Sequence, residues 1–179
     1  KTVGKVAERT AGALLRGARG NSGVILSLLF RGFSRVVKDQ DTINGVVLAA
    51  ALEEGVHTAY RAVMKPAEGT ILTVSRVSAK RATEAAKENA SAEYVLQETI
   101  ASAQTALEET VWQNPVLKKA GVIDAGGKGY LIILDGMLQA LRGNPVQNIG
   151  AEAETVQGKA DFSEFSTEDI TYCYCTEFI

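Results

Sequence analysis

LQETIASAQTALEETV, residues 96 to 111, decides the fold class. Within it Leu96, Ile100, Ala103, Leu107 and Val111 recur at steps of four, three, four and four. That spacing keeps one apolar line along a 3.6-residue helix and fits no strand, whose sides alternate at every second position. Outward from this stretch the chain keeps the same character. From Val3 to Arg142 it is rich in Ala, Leu, Glu and Lys, with prolines only at 66 and 115, so the body reads as all-α.

The spacing predicts helices over 22–38, 43–64, 70–90, 94–112 and 124–142. On the first, Ser27, Arg31, Ser34, Arg35 and Lys38 make a narrow polar stripe on an otherwise apolar cylinder, which predicts a mostly buried helix. The second places Glu54, Thr58 and Arg61 on one line and reads as another inner helix. The third carries Arg76, Lys80, Arg81, Glu84, Lys87 and Glu88 among small apolar residues, so it is expected at the surface with a single apolar face. The fifth has a stripe of Asp135, Gln139 and Arg142 and stops at Gly143, with Pro145 just beyond. Five such segments joined by short loops imply an antiparallel up-and-down helical barrel or bundle. Beyond Pro145 the composition turns polar and aperiodic, so 146–166 reads as a linker. The Tyr, Thr, Ile, Phe and Cys residues of 167–179 fit the first β-strand of a second, truncated domain.

Composition narrows the function. The 179 residues carry 19 Lys plus Arg against 21 Asp plus Glu, a formal charge of −2, which offers no global field for nucleic acid. Apolar runs such as 20–30 are far short of the roughly 20 residues that cross a bilayer. Cys173 and Cys175 are the only cysteines and both lie near the end, so no disulfide framework supports the body, and a reducing, cytoplasmic setting is expected. The sequence opens on Lys1 without a signal peptide, and is expected to be a fragment of a longer protein.

Three glycine-bearing loops each lead into a helix. Gly17-Ala18-Arg19-Gly20-Asn21-Ser22-Gly23 precedes the first, with Asn21 or Ser22 placed to cap it. Lys65-Pro66-Ala67-Glu68-Gly69-Thr70 precedes the third, with Thr70 as cap, and Asp124-Ala125-Gly126-Gly127-Lys128-Gly129 opens the fifth, with Asp124 as cap. Unpaired amides at a helix start attract phosphate, and glycine lets a ligand approach the backbone. Each loop taken singly also reads as a tight turn. Together they say more, because alternate helix starts in an up-and-down bundle lie at one end and would share a rim. The last loop is not a P-loop, since Gly129 rather than Ser or Thr follows Lys128, and the chain holds no Gly-x-Gly-x-x-Gly. His57, the only histidine, sits on the polar side of its helix and reads as solvated. The two cysteines, with no partner ligands beside them, read as packing residues rather than a zinc site.

At these loops the sequence resembles the dihydroxyacetone-kinase-type (DhaL-like) nucleotide-binding domains, and among them the ATP-binding subunit of bacterial fatty acid kinase. The resemblance is carried by residues 17–27, Lys65 to Val74, Asn114-Pro115-Val116-Leu117, Gly121 to Gly129, and Glu168 to Glu177. It implies a helical barrel binding ATP or ADP at one open end. Gly20, Asn21, Ser22 and Gly23 would lie by the phosphates, Thr70 and Ile71 by the nucleotide, and Asp124, Ala125, Gly126 and Gly127 around base and sugar. It also implies Mg2+ and a separate fatty-acid-binding partner protein that presents a carboxylate for phosphorylation. The sugar-kinase relatives act on dihydroxyacetone instead, and a helical interaction module without catalysis is the alternative from another class. The family's magnesium-binding aspartate loop precedes the glycine loop, yet no aspartate occurs before Asp39. Residues 1–145 are therefore expected to be a nucleotide-binding domain without its N-terminal helices and aspartate loop, catalytically inactive as it stands. Its opened wall would leave apolar surface that a second copy, as a homodimer, could cover.

Overall fold

The computed structural model describes residues 2–145 and is all-helical over them. Seven helices follow in order: α1 Val3–Gly17, α2 Gly20–Val37, α3 Gly45–Ala62, α4 Ile71–Glu88, α5 Ala92–Gln113, α6 Pro115–Ala120 and α7 Ala125–Leu141. The expected linker and the expected strand lie outside the described residues.

Hydrogen bonds between loops establish the alternation of direction. Val3 and Gly4 at the start of α1 donate to Asp41 O and Gln40 O after the end of α2. Gly45 at the start of α3 donates to Ala90 O, between α4 and α5, at 2.7 Å. One end of the bundle thus gathers the α2–α3 and α4–α5 connections, and the starts of α2, α4 and α7 share the other.

The helices approach closely because small residues line their contacts. A β-carbon on Gly32 of α2 would stand 2.4 Å from Glu54 O on α3, and one on Gly55 of α3 would stand 2.6 Å from Leu29 O on α2. Here the two backbones touch. The core around them holds Val37, Ala51, Ala59, Val74, Ala82, Val95, Ala103, Leu107 and Leu134, all nearly inaccessible. Buried hydroxyls on these helices satisfy themselves locally: Thr99 donates to Val95 O, Thr110 to Leu107 O, Ser75 to Leu72 O and Ser78 to Ser75 O.

Two expectations about burial are corrected. Helix α4 has the charged, exposed outer face expected of it, with Arg76, Lys80, Glu84, Lys87 and Glu88 in solvent, but it is set deeper than a surface helix, because it packs against α2, α3, α5 and α7 and buries Ile71, Leu72, Thr73, Val74, Ser75, Ser78, Ala79, Ala82 and Ala85. Beyond Ile71, Leu72 and Val74 in the first turn, its buried face is made of hydroxyls and methyls too small to stand out as an apolar stripe. Helix α2 is not mostly buried, since Val24 is 49% exposed. Ser27, assigned to its polar stripe, is instead buried and donates to Val24 O. The partly covered side of α2 meets α1 and α7 across an apolar groove of about 460 Å³ lined by Val6, Ala7, Phe30, Phe33, Ile133 and Met137 among others. Helix α1 packs on α2 alone among the described helices.

Outside the core, charges close the helix pairs. Arg81 on α4 pairs with Glu88 at 2.7 Å and with Glu98 on α5, and Tyr94 donates to Glu88. No helix among the described residues is long and apolar enough to cross a membrane.

Candidate functional site

At the end where α2, α4 and α7 begin, a pocket of about 460 Å³ is lined by Asn21, Ser22, Val24, Ile25, Ala62, Val63, Lys65, Ala67, Thr70, Ile71, Leu72 and Asp124. All three sequence-predicted loops therefore reach one cavity, and five of the predicted site residues (Asn21, Ser22, Thr70, Ile71 and Asp124) are in its wall. Its volume falls in the range of small-molecule sites.

The three helix starts differ in how their first amides are used. Thr70 caps α4, its hydroxyl accepting from Leu72 N at 3.3 Å and donating to Ala67 O at 2.8 Å. Asp124 caps α7, with Oδ2 accepting from Gly127 N at 2.7 Å, while its own amide donates to Thr110 Oγ1 at 3.1 Å. Helix α2 is different. It begins two residues earlier than expected, at Gly20, with Arg19 at its N-cap and no side-chain cap, so Asn21 and Ser22 sit inside the first turn. Gly20 has φ +64°, a left-handed conformation that glycine adopts without steric cost. No side chain thus caps the start of α2, Asn21 and Ser22 of its first turn line the pocket, and the helix dipole makes that end attractive to an anion.

The remaining predicted residues take other places. Gly126 forms the seam between two loops: a β-carbon there would stand 2.8 Å from Ser22 Oγ and 3.2 Å from Asp124 Oδ2. Gly127 is a packing residue, because a β-carbon on it would meet Val74 and Leu107 at 2.9 and 3.1 Å. Gly23 faces the opposite side of α2, against Ala18 and a groove shared with α1. Gly20 and Ala125 are exposed. The residues that sequence reasoning did not assign to the site, chiefly Val24, Ile25, Ala62, Val63 and Lys65, supply its apolar wall and its one cation. Ala62 and Val63 were findable, because an up-and-down bundle brings the end of α3 to the rim where α2 starts.

His57 is exposed, 4.0 Å from Glu54, and stands away from this pocket. The donor set does not suit Mg2+, which favours oxygen ligands in octahedral array. Asp124 is the pocket's only carboxylate and is engaged with Gly127, and no group of three His, Cys, Asp or Glu that could hold a metal occurs among the described residues.

Below the pocket the α3–α4 loop is tied down. Arg76 donates through Nη2 to Glu68 at 2.8 Å and through Nε to Tyr60 OH at 3.0 Å. The Thr73 hydroxyl hydrogen bond, joined by the Arg76 pair and opposed by partial burial, holds the Glu68 carboxyl below the usual carboxylate range.

The described residues thus form an all-helical bundle in which the starts of α2, α4 and α7 reach one glycine-edged pocket. A family model described as DAK2 domain matches residues 1–139, and the chain belongs to that family of dihydroxyacetone-kinase-like phosphotransferase domains. It is similar to the uncharacterized protein SAB1090 of Staphylococcus aureus strain bovine RF122, at 44% identity over 183 residues, covering all of this chain and 33% of that protein. The uncharacterized protein SH1689 of Staphylococcus haemolyticus strain JCSC1435 is 44% identical over 184 residues with the same shares covered. The chain spans about a third of the length of the curated relatives it matches.

Proposed function

We propose that this domain binds ATP or ADP in the pocket between the starts of α2, α4 and α7, and that it is the nucleotide-binding part of a phosphotransferase. The observation that carries the reading is the uncapped start of α2 opening on a pocket that the starts of α4 and α7 also reach. The phosphates lie against the amides of residues 20–22 and the Ser22 hydroxyl, with Lys65 as counter-charge. Val24, Ile25, Ala62 and Val63 cover the apolar part of the ligand. Glycine at 126 keeps the Ser22 hydroxyl in place.

In the whole protein the acceptor is a fatty acid carboxylate presented by an acyl-binding partner, giving an acyl phosphate. That finer reading rests on the motifs at residues 17–27, 65–74 and 121–129. When bound, Mg2+ supplies neutralisation of the phosphate charge. The residues of the described pocket do not hold it, so nucleotide binding is the part of the reaction assigned to this domain.

Calorimetric titration of the 179-residue chain with ADP, ATP and adenosine tests the reading. Binding of ADP and ATP with adenosine far weaker is the expected result, and no affinity for any of the three overturns it. Assay of the full-length protein with a fatty acid and its carrier against dihydroxyacetone decides the acceptor.

A further inference from the structure

Thr73 stands out among the buried hydroxyls. Its neighbours on the helices donate to a carbonyl three or four residues back, the ordinary use of a helical Ser or Thr. Thr73, 1% exposed, spends its hydroxyl hydrogen on Glu68 Oε2 at 2.7 Å instead. Its lone pairs are then free to accept from Gly69 N at 2.9 Å. The direction of that second bond depends on the first, because a hydroxyl has a single proton to give. Glu68 is in turn held by Arg76, and Arg76 by Tyr60 of α3.

The amide so captured belongs to the tightest point of the loop. Gly69 is buried, has φ +73°, and a β-carbon on it would stand 2.8 Å from Asn114 N. The next residue, Thr70, both caps α4 and lines the pocket, while Thr73 itself does not line it.

We propose that Thr73 is a positioning residue for the nucleotide pocket. Oriented by Glu68 and Arg76, it pins Gly69 and so fixes where Thr70 and the first amides of α4 stand. The proposal rests on the nucleotide reading of that pocket for its effect on affinity, and on geometry alone for its effect on the loop.

The test compares Thr73→Val, which keeps the shape and removes the hydroxyl, with Thr73→Ser, which restores it. Two quantities are read on the full chain: hydrogen exchange of the Gly69 amide by NMR, and the dissociation constant for ADP. Losing one hydrogen bond to a donor that stays buried should speed Gly69 exchange and weaken ADP by about tenfold or more in Thr73→Val, with wild-type values in Thr73→Ser. Faster exchange with unchanged ADP affinity overturns the proposal, and so does equal impairment of the Val and Ser variants, which would assign the effect to packing. A wild-type chain without ADP affinity removes the nucleotide reading. Exchange then decides the pin by itself, and equal Gly69 rates in wild type and Thr73→Val overturn it. Should Thr73→Val not fold, Glu68→Ala at the half-exposed end of the network removes the acceptor that orients the hydroxyl. It should raise Gly69 exchange in the same way, and an unchanged rate there counts against the proposal.

Discussion

Replacing Gly126 by Ala puts a methyl where α7 meets α2. The added carbon stands 2.8 Å from Ser22 Oγ and 3.2 Å from Ser22 Cβ. The Ser22 hydroxyl can turn aside, while Ser22 Cβ and Asp124 Oδ2, also at 3.2 Å, need give by only a few tenths of an ångström. Overpacking of this mild kind costs about 1 kcal/mol, and exchanging a helical glycine for alanine recovers up to about 1 kcal/mol, so the melting temperature should stay within about 2–4 °C of wild type. Binding should not be spared. A hydrogen bond to a charged group is worth about 1.5–3 kcal/mol, so an ADP site that has lost the Ser22 hydroxyl should bind about 10- to 150-fold more weakly.

Gly129→Ala is the companion variant. A β-carbon there meets nothing within 4 Å, so the helix gains about 0.5–1 kcal/mol and ADP affinity is unchanged. Thermal melts and calorimetry on both variants, run side by side, give the answer. Undiminished ADP binding by Gly126→Ala, or equal loss in Gly129→Ala, would refute the assignment of the seam to the ligand.

Gly32→Ala drives a methyl into the α3 backbone at 2.4 Å from Glu54 O. It should therefore destabilise by about 1–3 kcal/mol or more in chemical denaturation, the opposite sign to an unobstructed helical Gly→Ala change. Asp124→Ala removes the α7 cap on Gly127 and should lower stability by about 1 kcal/mol in the same experiment. Burial of Tyr130, against a weaker opposing hydrogen bond with Ser78, pushes its phenol up from 10.0 to about 12. A folded value above the unfolded one stabilises the protein below pH 10 and is lost as the pH rises toward 12, so Tyr130→Phe should flatten the alkaline limb of a stability-versus-pH curve by about 2–3 kcal/mol.

The parts of the fold that could be read from the sequence are those whose contacts use large apolar side chains. Helix α5 announces itself through Leu96, Ile100 and Leu107, and α3 through its continuous Val, Leu and Ala. Helix α4 lies deeper than its pattern suggests because Ser75, Ser78, Ala79, Ala82 and Ala85 bury fully behind the charges at 76, 80, 81, 84, 87 and 88 that dominate the pattern. The short α6 went unseen because six residues hold too few turns for a period, although Asn114 before Pro115 is a capping signal: its side chain accepts from Val116 N. Helix α1 was not set apart within the helical body, since its buried positions are Gly4, Ala7 and Ala11. In the pocket, the loop motifs located the amide-bearing starts, while the apolar wall from Ala62 and Val63 depends on which helix end arrives at the rim. The inner brace at Thr73 depends on a proton direction that no spacing encodes.

The glycine crossing at Gly32 and Gly55 sets the stiff side of the pocket mouth. Two main chains in direct touch have no cushion of side chains to compress, so α2 and α3 form one girder. That girder carries Asn21 and Ser22 on one margin and Ala62 and Val63 on the other, so a bulkier residue at either glycine of the crossing would displace both margins of the mouth together.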